Sequence, residues 1–528
     1  MKKLLALLLA CLMLVSVLVS CQTGGGGTGD GTGDGNTTTD GNGDNEDEIT
    51  SDEETEVVTD DWGRPLVLGT VPVDTLDFSV DGAPIEFNWI AWNNDYANVD
   101  RGDYEKPADA LQLALVERNM QLEEELGIVF QFDYYSCVTA QDELFKQVET
   151  DYKGNGKYEL IHSYSAYTSS TLIRDYLVDL QNEDQAPYLD LSKVWWHQNF
   201  IENTQANDHL YYVIGSSNLC AYNRIMATYV NLDLYDEYVA EEDWVDLYEV
   251  ALDGDWTYDV LFKYASIWDD VDGSTTKDAG DVYGLLSNAN CEAYDGFLYA
   301  FNLNLTKTES DGTHSWNIEG NTLMEDAMAK VINLYNQNGV WLIAKTPGAE
   351  SGSSQQYQMF ANNKAIFDID VITRYEAQNQ AFRDMKYRYG LLPLPKYDED
   401  QAEYGSGLQD SHAWYSVPNH SKYDKNLVSA TLEYLSELSY RYAYPYYFEK
   451  VMKSQYLATK ENAMVFDMIV AQADFDFGEQ FTQMLNTAKV KLWRSVARNE
   501  GTVTAAWTTN KETLVTALHE LDLWFMSK

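Results

Sequence analysis

Histidine, cysteine and cationic side chains are all scarce in this chain. Its 528 residues hold 7 His, 5 Cys and 35 Lys plus Arg, against 85 Asp plus Glu, for a formal net charge of −50. A surface this acidic repels polyanions, so nucleic acid is excluded as a partner and anionic headgroups make a poor docking surface. With so few histidines, a histidine-dependent catalytic site has few candidates. No G-x-G-x-x-G opens a helix, and G-x-x-x-x-G-K-[ST], G-x-S-x-G and H-E-x-x-H are absent. Carboxylates are so abundant that a glycosidase-like pair would arise by chance and carries no weight. The chain therefore reads as a binder and not an enzyme. Cys137, Cys220 and Cys291 are scattered without the paired spacing of a zinc site and read as small buried apolar groups. No metal and no cofactor is expected. Past the N-terminus, no apolar run approaches the ~20 residues that cross a bilayer.

What is present begins with Lys2 and Lys3, then an apolar run from Leu4 to Val19, closed by Leu18-Val19-Ser20-Cys21. The run is short for a membrane span and reads as a removable signal segment over 1–20. Its last four residues resemble a bacterial lipobox, which implies lipid on Cys21 and attachment to the outer face of a cell membrane, as at a Gram-positive surface. An ordinary signal peptide is the alternative. Residues 21–61 are Gly, Thr, Asp, Asn and Glu with hardly an apolar side chain, an acidic tether that cannot bury enough surface to fold.

Folding begins near Trp62. Ile85 to Ala91 reads as a strand. Leu111, Leu115, Leu122 and Leu126 then share one helical face, with Gly127 as a stop. A strand at 128–135, a helix at 140–149 and a strand at 159–164 follow. Strand, helix, strand, helix, strand is the pattern of a parallel, doubly wound sheet, whose ligands sit beyond the carboxyl ends of the strands. That rule directs attention to Trp92, Asn93, Asn94 and Asp95 after the first strand, and to Tyr164 and Ser165 after the third. Asp270, Asp272, Asp278 and Asp281 read as a solvated acidic loop, and no internal sequence repeat is visible.

Several phrases carry a resemblance. They are Asp255-Trp256-Thr257-Tyr258-Asp259 with Tyr283-Gly284-Leu285, and Leu210 to Gly215 followed by Tyr222-Asn223-Arg224. Further along come Phe360 to Phe367, with Asn363 where the pattern has glycine, and Tyr389 to Gln401. In this order they resemble the extracellular solute-binding proteins, family 1, of ABC importers, the group that includes maltose-binding protein. The resemblance implies an α/β, two-lobed periplasmic-binding-protein-like fold (type II). Each lobe would be a doubly wound sheet flanked by helices, with a hinge between lobes. The first lobe would take 62–215 and 366–412, the second 220–362 and 413–528.

It further implies a monomer that captures a sugar, an oligosaccharide by preference, and delivers it to ABC permease transmembrane subunits. A surface glycan-binding or sensing lipoprotein of the same fold is the alternative. Candidate ligand contacts are Trp92, Asn93, Asn94, Asp95, Tyr164 and Ser165 on the first lobe. Asn290 and Glu292 are the candidates on the second, with Asp368 and Asp370 after a strand ending at Phe367, and Trp414 at the third crossing. Each has a plainer reading: packing for the tryptophans, a turn for the asparagines, a helix cap for Asp95, a solvated face for Asp368 and Asp370. Trp195 and Trp196 read as lobe packing, and Trp256 as the entry to a helix.

Overall fold

The computed structural model describes residues 67–528, apart from 68, 108, 140–141, 155, 170–174, 290, 351–352, 374–384 and 454–458. The signal segment, Cys21 and the acidic tether lie outside the described residues.

The first lobe opens with β1 (Ile85–Trp92), α1 (Ala110–Leu126), β2 (Ile128–Tyr135), α2 (Glu143–Lys153) and β3 (Leu160–Tyr164). β1 pairs in parallel with both β2 and β3. The Asp109 carboxylate caps α1 through the Gln112 N–H, and the leucines at 111, 115, 122 and 126 are buried. Gly127 ends the helix at φ 67°, and a Cβ there would collide with Asp77 and Ser79. α2 starts three residues later than its periodicity predicts. The Asp142 carboxylate accepts the Val138 and Thr139 N–H groups at 2.6 and 3.0 Å, which closes a turn ahead of the helix.

The second lobe contributes β4 (Met226–Asn231), β5 (Trp268–Asp269), β6 (Val282–Asn288), the hairpin β7 (Thr306–Thr308) and β8 (His314–Trp316), β9 (Val340–Ile343), β10 (Ala365–Val371) and β11 (Tyr389–Leu392). β12 (Ala413–Ser416) follows. Strand order is β12-β3-β1-β2 in one sheet and β11-β4-β10-β6 in the other, with β9 and β5 also on β6. The two sheets repeat one plan that no sequence repeat announces. A central strand, β1 or β6, lies between two parallel neighbours, and one of those, β3 or β10, carries an antiparallel strand. That antiparallel strand, β12 or β4, is the first strand after the chain crosses from the other lobe.

This pairing corrects the division of lobes read from the sequence. Residues 366–392 do not join the first lobe, because β10 and β11 both hydrogen-bond to β4. Residues from 413 do not open the second, because β12 occupies the free edge of β3. The helix Lys425–Leu438 then packs on α1 in a first-lobe core with Leu122, Leu126, Leu427, Leu435 and Leu438. Which edge is open decides a strand's sheet, and residue order does not. β10 also runs four residues beyond Phe367, so Asp368 and Asp370 lie within a buried strand and do not follow it.

The phrase at 210–224 runs through the first lobe into the first crossing, and the other family-like phrases are second-lobe packing. The Trp256 indole donates to the Pro393 carbonyl at 2.9 Å, and the Tyr258 N–H to the Lys396 carbonyl at 2.7 Å. Trp256 is wholly buried and leads through Thr257 into a helix at Tyr258–Tyr264. Asn363 has φ 62°, the left-handed conformation that explains glycine in the pattern, and its amide accepts from Asn231 at 2.7 Å. Cys137 and Cys220 are buried free thiols. No helix among the described residues is long and apolar enough to cross a membrane.

Trp195 and Trp196 pack within the first lobe, and both indoles donate to Glu433, at 3.1 and 3.0 Å. The same carboxylate accepts from the Asp190 N–H at 3.1 Å and the Thr70 hydroxyl at 3.3 Å. Burial outweighs these four donors and lifts its pKa to about 7. An acid whose pKa is higher folded than unfolded binds its proton more tightly in the native state. Its contribution is present at low pH and fades as pH rises from about 4.5 to about 7. Glu433→Gln should therefore flatten the fall in melting temperature across that window. Denaturation of both proteins at pH 5 and pH 7.5 measures it; parallel slopes would show that Glu433 is not the titrating group.

Candidate ligand cleft at the chain crossings

Two short segments run side by side between the lobes, 220–226 leaving the first and 405–412 returning to it; the chain passes to the second lobe once more between Leu438 and the helix Lys460–Ala471, which packs on β11. The two short segments run antiparallel and are tied by Met226 N–H to Gly407 C=O (3.0 Å) and Gln409 N–H to Arg224 C=O (2.8 Å). The Ser165 N–H, just past β3, donates to the His412 carbonyl at 2.9 Å. The Ile372 N–H, just past β10, donates to the Ile225 carbonyl at 2.9 Å. Both sheets therefore end their parallel strands at the crossings, where doubly wound folds hold ligands.

On the first lobe, Trp92 ends β1 and Tyr164 ends β3, one parallel neighbour away. Their rings stack at 4.6 Å and 7°, and Tyr167 meets Tyr164 edge-on at 5.4 Å. Trp92 is only 3% exposed, so it is the base of an aromatic platform whose half-buried upper ring is Tyr164. The sequence pointed to Trp92 as the stacking face; of the two rings, Tyr164 is the more exposed. Asn93 is exposed beside it and Asn94 half-buried. Asp95 starts a one-turn helix, Asp95–Asn98, and its side chain is outside the described set.

Beneath the platform lies a buried polar chain. The Arg101 guanidinium donates to the Trp92 carbonyl at 3.2 Å and to His162 Nδ1 at 2.7 Å. That leaves the His162 proton on Nε2, facing Asp100 at 2.9 Å, while Asp100 also accepts the Cys220 N–H at 2.8 Å. Burial lowers the His162 pKa despite the carboxylate, in keeping with a neutral ring. Asp100, His162 and Cys220 offer metal-ligand atoms within 4.8 Å of one another. The guanidinium on the same histidine already supplies the positive charge, so the cluster serves as a brace from the platform to the first crossing. The acidic loop at 270–281 is likewise internally bonded, with Asp270 and Asp272 accepting the Ser274 N–H at 3.0 and 2.8 Å.

The second-lobe wall is the start of the helix Cys291–Ala300. Glu292 accepts from the Gln409 amide at 2.6 Å, and Gln409 in turn accepts from the Ser411 hydroxyl at 2.7 Å. One turn on, buried Asp295 forms a two-pronged pair with Arg494, whose guanidinium also reaches Asp410 in the crossing at 3.1 Å. Lys489 stands 3.4 Å from Asp295 and pairs with Glu479. Burial by itself would raise the Asp410 pKa, but Lys489 and Arg494 together hold it below the usual carboxylate range. His412 donates through Nδ1 to the Gln409 carbonyl at 3.0 Å, which leaves Nε2 as a buried lone pair with no partner among the described residues. Burial holds its pKa near 4, so it stays neutral and able to accept a hydroxyl proton.

Other sequence candidates fall elsewhere. Ser165 is committed to the crossing, its hydroxyl donating to the Asp410 carbonyl at 3.0 Å. Trp414 is wholly buried between Tyr212, stacked at 4.7 Å, and Phe200, edge-on at 5.7 Å. Asp368 accepts from Gln356 at 2.7 Å inside the second-lobe core, and Asp370 is equally buried on β10. Asn290 lies outside the described residues. Sequence reasoning missed Arg101, Gln409, Asp410, His412 and Arg494. His412 lies two residues before Trp414, the one candidate named there, whereas nothing local marks Arg494.

No protein-family model matches the chain, and no curated protein sequence is significantly similar to it. Solved structures do share its fold. The sugar-binding protein MalE from Xanthomonas citri superposes with a TM-score of 0.53 at 14% identity, over 84% of this chain and 100% of that one. The GacH receptor of Streptomyces glaucescens, solved unliganded and with acarbose, gives 0.52 at 14%, over 83% and 99%. The substrate-binding protein Lmo0181 of Listeria monocytogenes, solved with cycloalternan, gives 0.50 at 13%, over 83% and 99%. These likenesses establish the two-lobed type II fold.

Arg494 is the cation that two lobe-spanning carboxylates share. Arg494→Leu leaves buried Asp295 with only Lys489, which Glu479 also shares, and should cost up to about 3 kcal/mol. Chemical denaturation reads this directly, and an unchanged midpoint would mean that the pair is not formed.

Proposed function

We propose that this protein is a solute-binding protein of the ABC-importer type, lipid-anchored through Cys21 on the outer face of the cell membrane. It captures an oligosaccharide between its lobes and passes it to a membrane permease. The observation that carries this reading is the stacked Trp92–Tyr164 platform at the carboxyl ends of β1 and β3, set against crossings rich in polar groups. A sugar offers C–H faces to an aromatic ring and hydroxyls to planar polar partners. Tyr164 supplies the first. Asn93, Asn94, Gln409, Glu292 and His412 supply the second. The two antiparallel crossings form a narrow joint about which the lobes close, excluding water and strengthening every hydrogen bond within. The fold is shared with proteins solved as binders of acarbose and of cycloalternan, which accords with this ligand class.

Titration of the purified protein against a panel of neutral oligosaccharides by calorimetry tests the reading. One member should bind stoichiometrically without being cleaved, and at about 100 Kd should add about 2.7 kcal/mol of stability. Tyr164→Ala should weaken that binding at least tenfold, about 1.4 kcal/mol. Trp92→Ala should in addition lower stability by about 3 kcal/mol, because it empties a buried indole site. Unaltered affinity in Tyr164→Ala would place the ligand elsewhere.

The anchor has its own test. Cys21→Ser should move the protein from the membrane fraction to the medium, and retention at the membrane would overturn lipidation at that residue.

A further inference from the structure

The helix Val503–Met526 is a rod of 24 residues, about 36 Å long, that touches both lobes. Most of its length is fixed to the second lobe. Its first turn gives the Val503 N–H to Glu325 at 3.0 Å, and Glu325 sits on the helix Thr322–Tyr335 that packs on β9. Midway, the Leu514 carbonyl accepts the Trp316 indole N–H at 3.0 Å. Further on, Asp522 accepts both the backbone N–H and Nδ1 of His314, at 2.9 and 2.8 Å. A rod held at these places along one body moves with that body.

Its last turn meets the first lobe instead. The rings of Trp524 and Phe525 lie 5.4 and 6.1 Å from that of Tyr211, and the Asn207 amide donates to the Phe525 carbonyl at 3.4 Å. Lys528, just past the helix, lies over the Trp524 ring at 4.5 Å and pairs with Asp175. Tyr211 is tied into the first lobe on both sides. The Leu180 N–H donates to the Leu210 carbonyl at 2.7 Å, and Val213 exchanges two backbone bonds with Tyr415 of β12, at 3.0 and 3.1 Å. Asp175 is tied in through Val178, whose N–H donates to the Val417 carbonyl at 2.8 Å. The stretch at 473–474 also bridges the lobes, through the Asn199 and Asn203 amides. That bridge is hydrogen-bonded to Ser406 of the second crossing and so belongs to the joint itself.

The two attachments of the helix differ in kind. Those to the second lobe use buried side chains, His314, Trp316 and Asp522, whose separation would leave polar groups unpaired in the interior. Those to the first lobe are weaker. The one hydrogen bond is long, and Asp175 is 59% exposed, so its ion pair is worth little. The ring contacts can slide without stranding a polar group. Phe525 also packs on Phe477 and Phe481, at 6.1 and 5.6 Å, and stays with the helix. When the angle between the lobes changes, the rod follows the second lobe and the junction at Tyr211 yields.

We propose that this last turn is a clasp across the lobes. Trp524 and Lys528, set on Tyr211 and Asp175, hold the lobes at the angle of this structure and slip when that angle changes. The clasp rests on the reading above, in which the lobes move to capture a solute. By fixing how much of the protein occupies each arrangement, it also sets the apparent affinity for that solute.

Double electron–electron resonance on the full mature chain tests this. Nitroxides are carried by p-acetylphenylalanine at exposed Leu113 of α1 and exposed Leu323 of the second lobe, which spares the native thiols. The measurement uses no sugar, so loss of the clasp and loss of sugar binding are read separately. The otherwise unaltered chain should give one dominant interlobe distance. Trp524→Ala and, from the opposite side, Tyr211→Leu should each raise a second distance above about 10% of the population. The double variant should go no further than either single one, because both remove the same contact. Trp524→Phe, which keeps a ring, should restore the single distance. Val515→Ala, an exposed change midway along the helix, should leave it as it was. The proposal is overturned if Trp524→Ala and Tyr211→Leu keep the original distance, even with a lowered melting temperature. It is equally overturned if Val515→Ala produces the second distance too.

Discussion

Two short crossings, hydrogen-bonded to each other at Met226–Gly407 and Arg224–Gln409, are the joint on which the rest of the molecule depends. Each crossing delivers an antiparallel strand to the far sheet, and each also receives a hydrogen bond from the residue just beyond a parallel strand. The carboxyl ends of two sheets, and with them the platform at Trp92 and Tyr164, are thereby brought to one place. A single linker would position the lobes loosely. Two paired linkers, with a third passage of the chain after Leu438, restrict how one lobe moves against the other.

Charge is managed around that joint against an unfavourable background. In a chain with 85 carboxylates, several of the 35 cationic side chains are spent in the interior. Arg101 braces the platform to His162, while Arg494 and Lys489 neutralise Asp295, Asp410 and Glu479 where the C-terminal segment meets the second crossing. Burial still pushes Glu479 up despite its cation neighbours, as it does Glu433, which only neutral donors hold. Polar order in the interior thus follows from where the few cations are placed.

Much of the fold was legible along the chain. The period-four leucines of α1, the αL stop at Gly127 and the strands at 85–92 and 128–135 stand where local pattern puts them, because each depends on neighbours within a few residues. The recurring phrases at Trp256, Asn363 and Tyr389 to Gln401 were legible for a related reason. They are packing units, and their role is to hold the second lobe together. The candidate site was only half legible. The end-of-strand rule led to Trp92 and Tyr164 but also drew in Ser165, and the resemblance added Trp414, Asp368 and Asp370, whose side chains turn to the hinge or into the core.

By itself, then, the sequence determined the class of sheet, the position of the first-lobe loops and the acidic, cation-poor character of the surface. These rest on periodicity, turn chemistry and composition, all of which are local or additive. Only the tertiary structure decided which sheet receives β10 and β12, which ring of the stacked pair faces outward, and that Arg494 would meet Asp410 from 84 residues away. Those are questions of open edges, of burial and of unpaired charge. Their answers depend on what else occupies the same space.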